Sequence, residues 1–211
     1  MTSVAPRYKI TGVILYRGGV FLAAKEKYTR QEIVSAGIEL IRHRGEAALN
    51  ARALAEALGC STQPIFRNFT DMQVLRGSLL AEAHDRYLRF SADYMAVSGD
   101  PPYKASGMAY IAFATAEPQL FRLLFMRSRS NQKAGPEMGD WEPTLAAVER
   151  YTGLPREKAE LFHLEMWAFV HGIAVMEATG YLDLGVDTVS RMLTDAYRGI
   201  TRRWEEQHER D

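Results

Sequence analysis

Thr62, Gln63 and Arg67 are the residues whose type and spacing most directly suggest chemistry. Gln63 and Arg67 lie four apart, so in a helix they share one face, and Thr62 sits beside them at its start. A glutamine amide matches the edge of adenine and a guanidinium matches guanine or a phosphate. A threonine methyl or the ring of Pro64 can touch a thymine methyl. Exposed on one short helix, such a set reads base edges.

The elements that would position this set are legible around it. Asn50 to Phe69 reads as a short helix, a glycine turn at Gly59 and a second short helix, the grammar of a helix-turn-helix. Asn50 caps a helix from Ala51 to Leu58 that sends Leu54, Ala55 and Leu58 inward. Gly59 permits the tight turn. Ser61 is the expected cap of the next helix, with Pro64 in its first turn, where a missing N–H costs little. Upstream, Thr29 and Glu32 have capping-box spacing, and Ile33, Ala36, Gly37, Leu40 and Ile41 form an apolar stripe that ends at Gly45. Downstream, Thr70 and Gln73 repeat the capping-box pattern and open a longer helix towards Met95.

The 211 residues suffice for one large domain or two small ones, and 47% are apolar, so real cores can be buried. The 26 basic residues balance the 26 acidic ones. That excludes a wholly electrostatic, histone-like DNA binder but allows a local basic face. A single cysteine, Cys60, excludes an internal disulfide framework and suits a reducing cytosol. It reads as a small buried hydrophobe rather than a redox switch at the turn. No apolar run approaches the roughly 20 residues of a membrane-spanning helix.

Ser98-Gly99-Asp100-Pro101-Pro102 is a break, and bulky apolar and aromatic residues dominate beyond it. Helices are predicted over 103–115, from Pro118, over 141–151, over 155–179 and over 187–208, with a polar loop at 128–139. The expected fold class is therefore all-α: a three-helix helix-turn-helix domain at 26–75 and a helical bundle at 76–211, roughly nine helices in all. Residues 1–25 are apolar but broken by Arg17-Gly18-Gly19. They fit a signal peptide poorly and allow a hairpin, but they are expected to be a structureless or spuriously translated extension.

Thr29 to Leu75 resembles the DNA-binding domain of the tetracycline-repressor family. The shared frame is Ile33, Ala36, Leu40, Gly45, Leu54-Ala55, Leu58-Gly59, Ser61, Ile65-Phe66, Asn68-Phe69 and Leu75. The resemblance implies DNA contacts from Ser61, Thr62, Gln63, Pro64, Phe66, Arg67 and Asn68. Two positions depart from the family: Phe66 stands where a tyrosine is usual, and Met72 where a lysine is usual. Each removes a phosphate contact, which Arg44, Arg52, Arg67 and Lys27 would compensate.

For the remainder, the resemblance implies a ligand-binding and dimerisation domain with its cavity between the fifth to eighth helices. Trp167, His171 and Gly172 are similar to a motif of one subgroup. Trp167 and His171 share a helix face. With Phe113, Phe125, Met166 and Val170 they are the expected ligand-binding residues, drawn from a methionine- and aromatic-rich set. The last two helices carry more apolar surface than one core hides, and the resemblance implies that they pack against a symmetry mate as a homodimer, which fits a palindromic site.

His163 and His171 lie about 12 Å apart along a helix, too far for one metal ion. There is no phosphate-cradling glycine loop or hydrolase motif, so no catalytic residue, cofactor or metal is expected. The expected protein is a cytoplasmic transcriptional regulator, most simply a repressor. Its expected partners are a double-stranded operator and a small apolar or amphipathic effector, with no membrane. The rival is a helical protein–protein adaptor that has lost DNA binding.

Overall fold

A computed structural model describes residues 9–10, 13–16, 19–22, 28–127 and 142–208. The body is all-α. Among the described residues nine α-helices run α1 (Arg30–Arg44), α2 (Ala51–Ala57), α3 (Gln63–Asn68), α4 (Met72–Val97), α5 (Pro102–Ala116), α6 (Pro118–Phe125), α7 (Glu142–Thr152), α8 (Arg156–Thr179) and α9 (Val186–His208). A single 3-10 turn, Glu46–Ala48, joins α1 to α2. None of these helices is long and apolar enough to cross a membrane. The loop expected at 128–139 lies outside the described residues, as do Lys27 and Trp141.

Before the helices, β1 (Lys9–Ile10), β2 (Val13–Tyr16) and β3 (Gly19–Leu22) pair as an antiparallel meander. Tyr16 pairs with Gly19 and Ile14 with Phe21. Strands in this segment are what its hairpin reading allows. Apolar and β-branched residues favour such pairing, which satisfies the strands' backbone groups.

Helix starts follow local hydrogen bonding. The capping box at α1 is formed: Thr29 Oγ1 accepts from the Glu32 N–H at 3.2 Å, and Glu32 Oε2 accepts from the Thr29 N–H at 2.6 Å. Gly45, at φ 76°, ends the helix. Asn50 Oδ1 caps α2 by accepting from the N–H groups of Arg52 and Ala53 at 3.1 and 2.9 Å. Two expected caps are displaced by one residue. Thr62, not Ser61, stands at the N-cap of α3 and makes no side-chain cap bond. There Pro64 in the first turn removes one of the N–H groups a cap would serve. At α4, Asp71 replaces the Thr70–Gln73 box. Its Oδ1 accepts from Gln73 N at 2.8 Å and Val74 N at 2.9 Å. A carboxylate there gains two hydrogen bonds and a favourable position at the positive end of the helix dipole.

The core is continuous from end to end. Ile33, Ile38, Leu54, Ile65, Phe69, Leu75 and Leu79 close the amino-terminal part. Phe113, Leu120, Phe121 and Phe162 anchor the carboxy-terminal part. Helix α1 packs on α6 as well as on α4, and α4 packs on α5. The boundary expected after residue 75 therefore falls inside α4, a single helix of 26 residues and about 39 Å.

Candidate functional site

Two sites are built on this frame, one at each end of α4. The first is the α2–turn–α3 unit. Gly59, at φ 63°, turns the chain, and the Cys60 N–H donates to Ala55 O at 2.9 Å across the turn. Ile65 and Phe69 are buried on the inner side of α3, at 0% and 1% exposure, which forces the intervening positions outward. Ser61, Gln63, Phe66 and Arg67 are exposed; Thr62 and Pro64 are half-buried. Phe66 is 48% exposed, a large ring held at the surface. Arg44 and Arg52 are exposed at the end of α1 and the start of α2. Cys60 is half-buried with a free thiol.

Asn68 is used differently from the sequence expectation. Its Nδ2 donates to Tyr28 O at 3.2 Å and Pro64 O at 3.0 Å, so its amide fastens α3 to the start of α1. Arg30, which the sequence did not single out, completes the fastening. Its guanidinium donates to Asn68 O at 3.0 Å and Ser78 Oγ at 2.9 Å. It also lies 4.1 Å over the Phe69 ring. The Tyr28 hydroxyl donates to Leu58 O. The outward face of α3 is thus carried on a helix pinned to α1 and α4, as precise recognition requires.

An ionic cluster joins this unit to the body. Arg42 on α1 makes a bidentate contact to Glu117, at the start of α6, at 2.7 and 2.6 Å. It also reaches Glu39 at 2.9 Å, and Arg86 on α4 contacts Glu39 at 3.1 Å. Burial opposes ionisation of Glu39, but Arg86 and Arg42 outweigh it and hold its carboxyl below the ordinary value.

The second site is a cavity of about 590 Å3 between α4, α5, α7, α8 and α9. That volume is typical of small-molecule sites. Of the residues expected to bind a ligand, Met166, Trp167 and Val170 lie on its wall. Phe113, Phe125 and His171 do not appear on its wall; they back it. Phe113 and Phe125 pack edge-on against Tyr87, each at 5.2 Å between centroids. His171 stacks on Trp167 at 5.0 Å and 10°, and its Nδ1 is 2.9 Å from the Tyr110 hydroxyl. Among the described residues the wall comes from α4, α5, α7, α8 and α9 and none of it from α6, whereas the expected cavity lay between the fifth to eighth helices.

Tyr87, Tyr103, Tyr110, His163 and Tyr197 line the cavity and were not anticipated. The Tyr103 hydroxyl lies 2.9 Å from His163 Nδ1. The signal that could have found this pair is spacing. Tyr103 and Tyr110 are seven apart on α5, His163 and His171 eight apart on α8, so two tyrosine–histidine rungs join packed helices. Burial pushes the Tyr103 hydroxyl above the ordinary phenol range and pulls His163 below the ordinary imidazole value. Both are neutral at neutral pH. Lys104, the one ammonium on the wall among the described residues, is paired with Asp100 at 3.1 Å. No cluster of metal-ligating side chains occurs among the described residues.

The fold is that of a helix-turn-helix head pinned to a helical body that contains a cavity. Comparison with known proteins finds the same arrangement elsewhere. Residues 103–197 match the family model described as tetracyclin repressor-like, C-terminal domain. An HTH-type transcriptional regulator of Mycobacterium tuberculosis, itself uncharacterized, is 24% identical over 171 residues, 79% of this chain and 78% of its own. The crystal structure of a TetR-like transcriptional regulator from Rhodococcus sp. RHA1 superposes with a TM-score of 0.59 at 16% identity. It covers 81% of this chain and 94% of that one. The chain is thus similar to tetracycline-repressor proteins in its carboxy-terminal domain and in its fold.

Proposed function

We propose that this protein is a homodimeric, effector-responsive transcriptional repressor acting on DNA in the cytoplasm. In this reading two α2–α3 heads bind a pseudo-palindromic operator in successive major grooves, Gln63 and Arg67 meeting base edges and phosphates. A small molecule in the cavity weakens that binding. The observation that carries the reading is α4. Its Leu75 and Leu79 are buried at the head, and its Tyr87 lines the cavity. A ligand that favours one position of Tyr87 biases one continuous helix, and the helix carries the bias to the head. The requirement is a difference in ligand affinity between the two positions.

Dimerisation is supported by the outer face of α8, where Leu161 and Leu164 are 45% and 46% exposed and Phe169 is 37% exposed. A two-fold mate covering α8 and α9 would hide them. The test is an electrophoretic mobility shift against the DNA flanking the protein's own gene, with light scattering for mass. Sequence-specific, salt-sensitive binding by a dimer is expected. A monomer, or binding indifferent to sequence, would overturn the reading. Phe66, exposed without a hydroxyl, favours the second reading, an adaptor that no longer binds DNA. Arg67→Ala separates the two, because only a regulator depends on that guanidinium.

A further inference from the structure

We propose that the cavity takes a neutral, flat, multi-ring molecule carrying one hydroxyl, and that the Tyr103–His163 pair is the group that recognises the hydroxyl. The proposal deepens the effector-site reading given above and rests on it only for the biological role of the bound molecule.

Shape comes first. Seven of the nineteen wall residues carry benzenoid rings, so flat faces rather than flexible aliphatic chains dominate the contact. Tyr103, Phe162 and Tyr197 form a mutually tilted set. Their centroids are 6.3 Å apart for Tyr103 with each of the other two, and 5.5 Å apart at 86° for Phe162 with Tyr197. Rings in offset and edge-on arrangements are the partners a further aromatic ring packs against best. A long acyl chain would fill the same volume without using them.

Charge comes second. The ammonium of Lys104 is already held by Asp100 at 3.1 Å. A carboxylate ligand taking Lys104 would leave Asp100 uncompensated, so the exchange gains little. Tyr103 and His163 are both driven to their neutral forms by burial. An ionised ligand group beside them would lose its hydration, and among the described wall residues the cation, Lys104, is already paired. The wall therefore favours a neutral molecule.

Polarity comes third. In the Tyr103–His163 pair, 2.9 Å apart, the phenol oxygen retains acceptor capacity when its hydrogen points to the imidazole. A ligand hydroxyl can therefore donate to it without breaking the pair. A ligand lacking the hydroxyl packs equally well but misses one hydrogen bond. The preference this gives is modest, about three- to tenfold.

The experiment uses the full chain without DNA, so its failure is separate from any failure of operator binding. 1-Hydroxypyrene, pyrene and 1-pyrenecarboxylate are titrated by their own fluorescence, and dodecanoate by displacement of bound 1-hydroxypyrene. The expected order is 1-hydroxypyrene tighter than pyrene by about three- to tenfold. The carboxylate and dodecanoate should be weaker than both. Tyr103→Phe should erase the advantage of 1-hydroxypyrene and leave pyrene unchanged. The order of probes on the unmodified protein decides the question even if that variant folds poorly. Equal binding of pyrene and 1-hydroxypyrene, tighter binding of either carboxylate, or binding of none of the four would overturn the proposal.

Discussion

Gly37 on α1 packs closely against Leu79 on α4, and their coupling can be stated with a sign. Both are buried, Leu79 to 1% exposure. A Cβ built on Gly37 would stand 2.7 Å from Leu79 Cδ2 and 3.4 Å from Cδ1. The first distance is well inside contact, so Gly37→Ala must displace a side chain packed on all sides. Overpacking of this kind costs about 1–3 kcal/mol. Against it stands the gain of replacing a helix-interior glycine by alanine, about 1 kcal/mol. The net expectation is a loss of about 0–2 kcal/mol. Leu79→Ala alone should cost about 2–5 kcal/mol, through lost burial and the cavity left behind. In the Leu79→Ala background the obstructing methyl groups are gone. Gly37→Ala should then stabilise by about 1 kcal/mol, since only the helix term remains. The same substitution thus changes sign between the two backgrounds, a coupling of about 1–3 kcal/mol. The assay is urea unfolding followed by helical circular dichroism, at one protein concentration so that any self-association is held fixed. If Gly37→Ala stabilises the unmodified protein as much as it stabilises the Leu79→Ala variant, the contact between α1 and α4 is not as tight as described and the reasoning fails.

Three further outcomes are expected. Asn50→Ala should cost about 1 kcal/mol in the same unfolding assay by uncapping α2. Ser61→Ala should stay within about 0.5 kcal/mol because Ser61 caps nothing, and equal effects would contradict the caps described. Arg67→Ala should weaken DNA binding. If the guanidinium meets a phosphate, the slope of log affinity against log salt should fall by about one, equally for all sequences. Loss of sequence preference with an unchanged slope would instead assign it to a base. His163 has its proton affinity lowered by burial, so the unfolded chain binds more protons below about pH 6.5. Its contribution to stability is full above that pH and is lost as pH falls towards the lower folded value. Urea midpoints between pH 7.5 and 5.5 should fall less steeply for His163→Gln, and an unchanged dependence would remove His163 from the account.

Much of the frame was legible because it is written in short-range chemistry. Thr29 with Glu32, Asn50 and Gly45 start or stop helices through bonds to residues at most four away, so their type and spacing suffice. The capping residues at α3 and α4 were misplaced by one position for the same reason in reverse. Thr70 and Asp71 are both good caps, and only the packing of Phe69 and Leu75 decides which of them stands at the helix start. The outward set on α3 was readable from the inward pair Ile65 and Phe69. Asn68 was not, because its partners, the Tyr28 and Pro64 carbonyls, include one 40 residues away.

By itself, then, the sequence determined an all-helical body, the helix-turn-helix and its glycine turn, and the types of residue on the outward face of α3. Periodicity and local hydrogen bonding carry those features. Only the tertiary structure decided that α4, which buries Leu75 and Leu79 at the head, also brings Tyr87 to the cavity, and that Arg30 and Asn68 pin α3. It also decided that tyrosines from α5 and histidines from α8 form the polar rungs of the cavity. The physical reason is distance along the chain: Tyr103 and His163 are 60 residues apart. Nothing local distinguishes either from an ordinary core residue until two helices pack and bury both groups together.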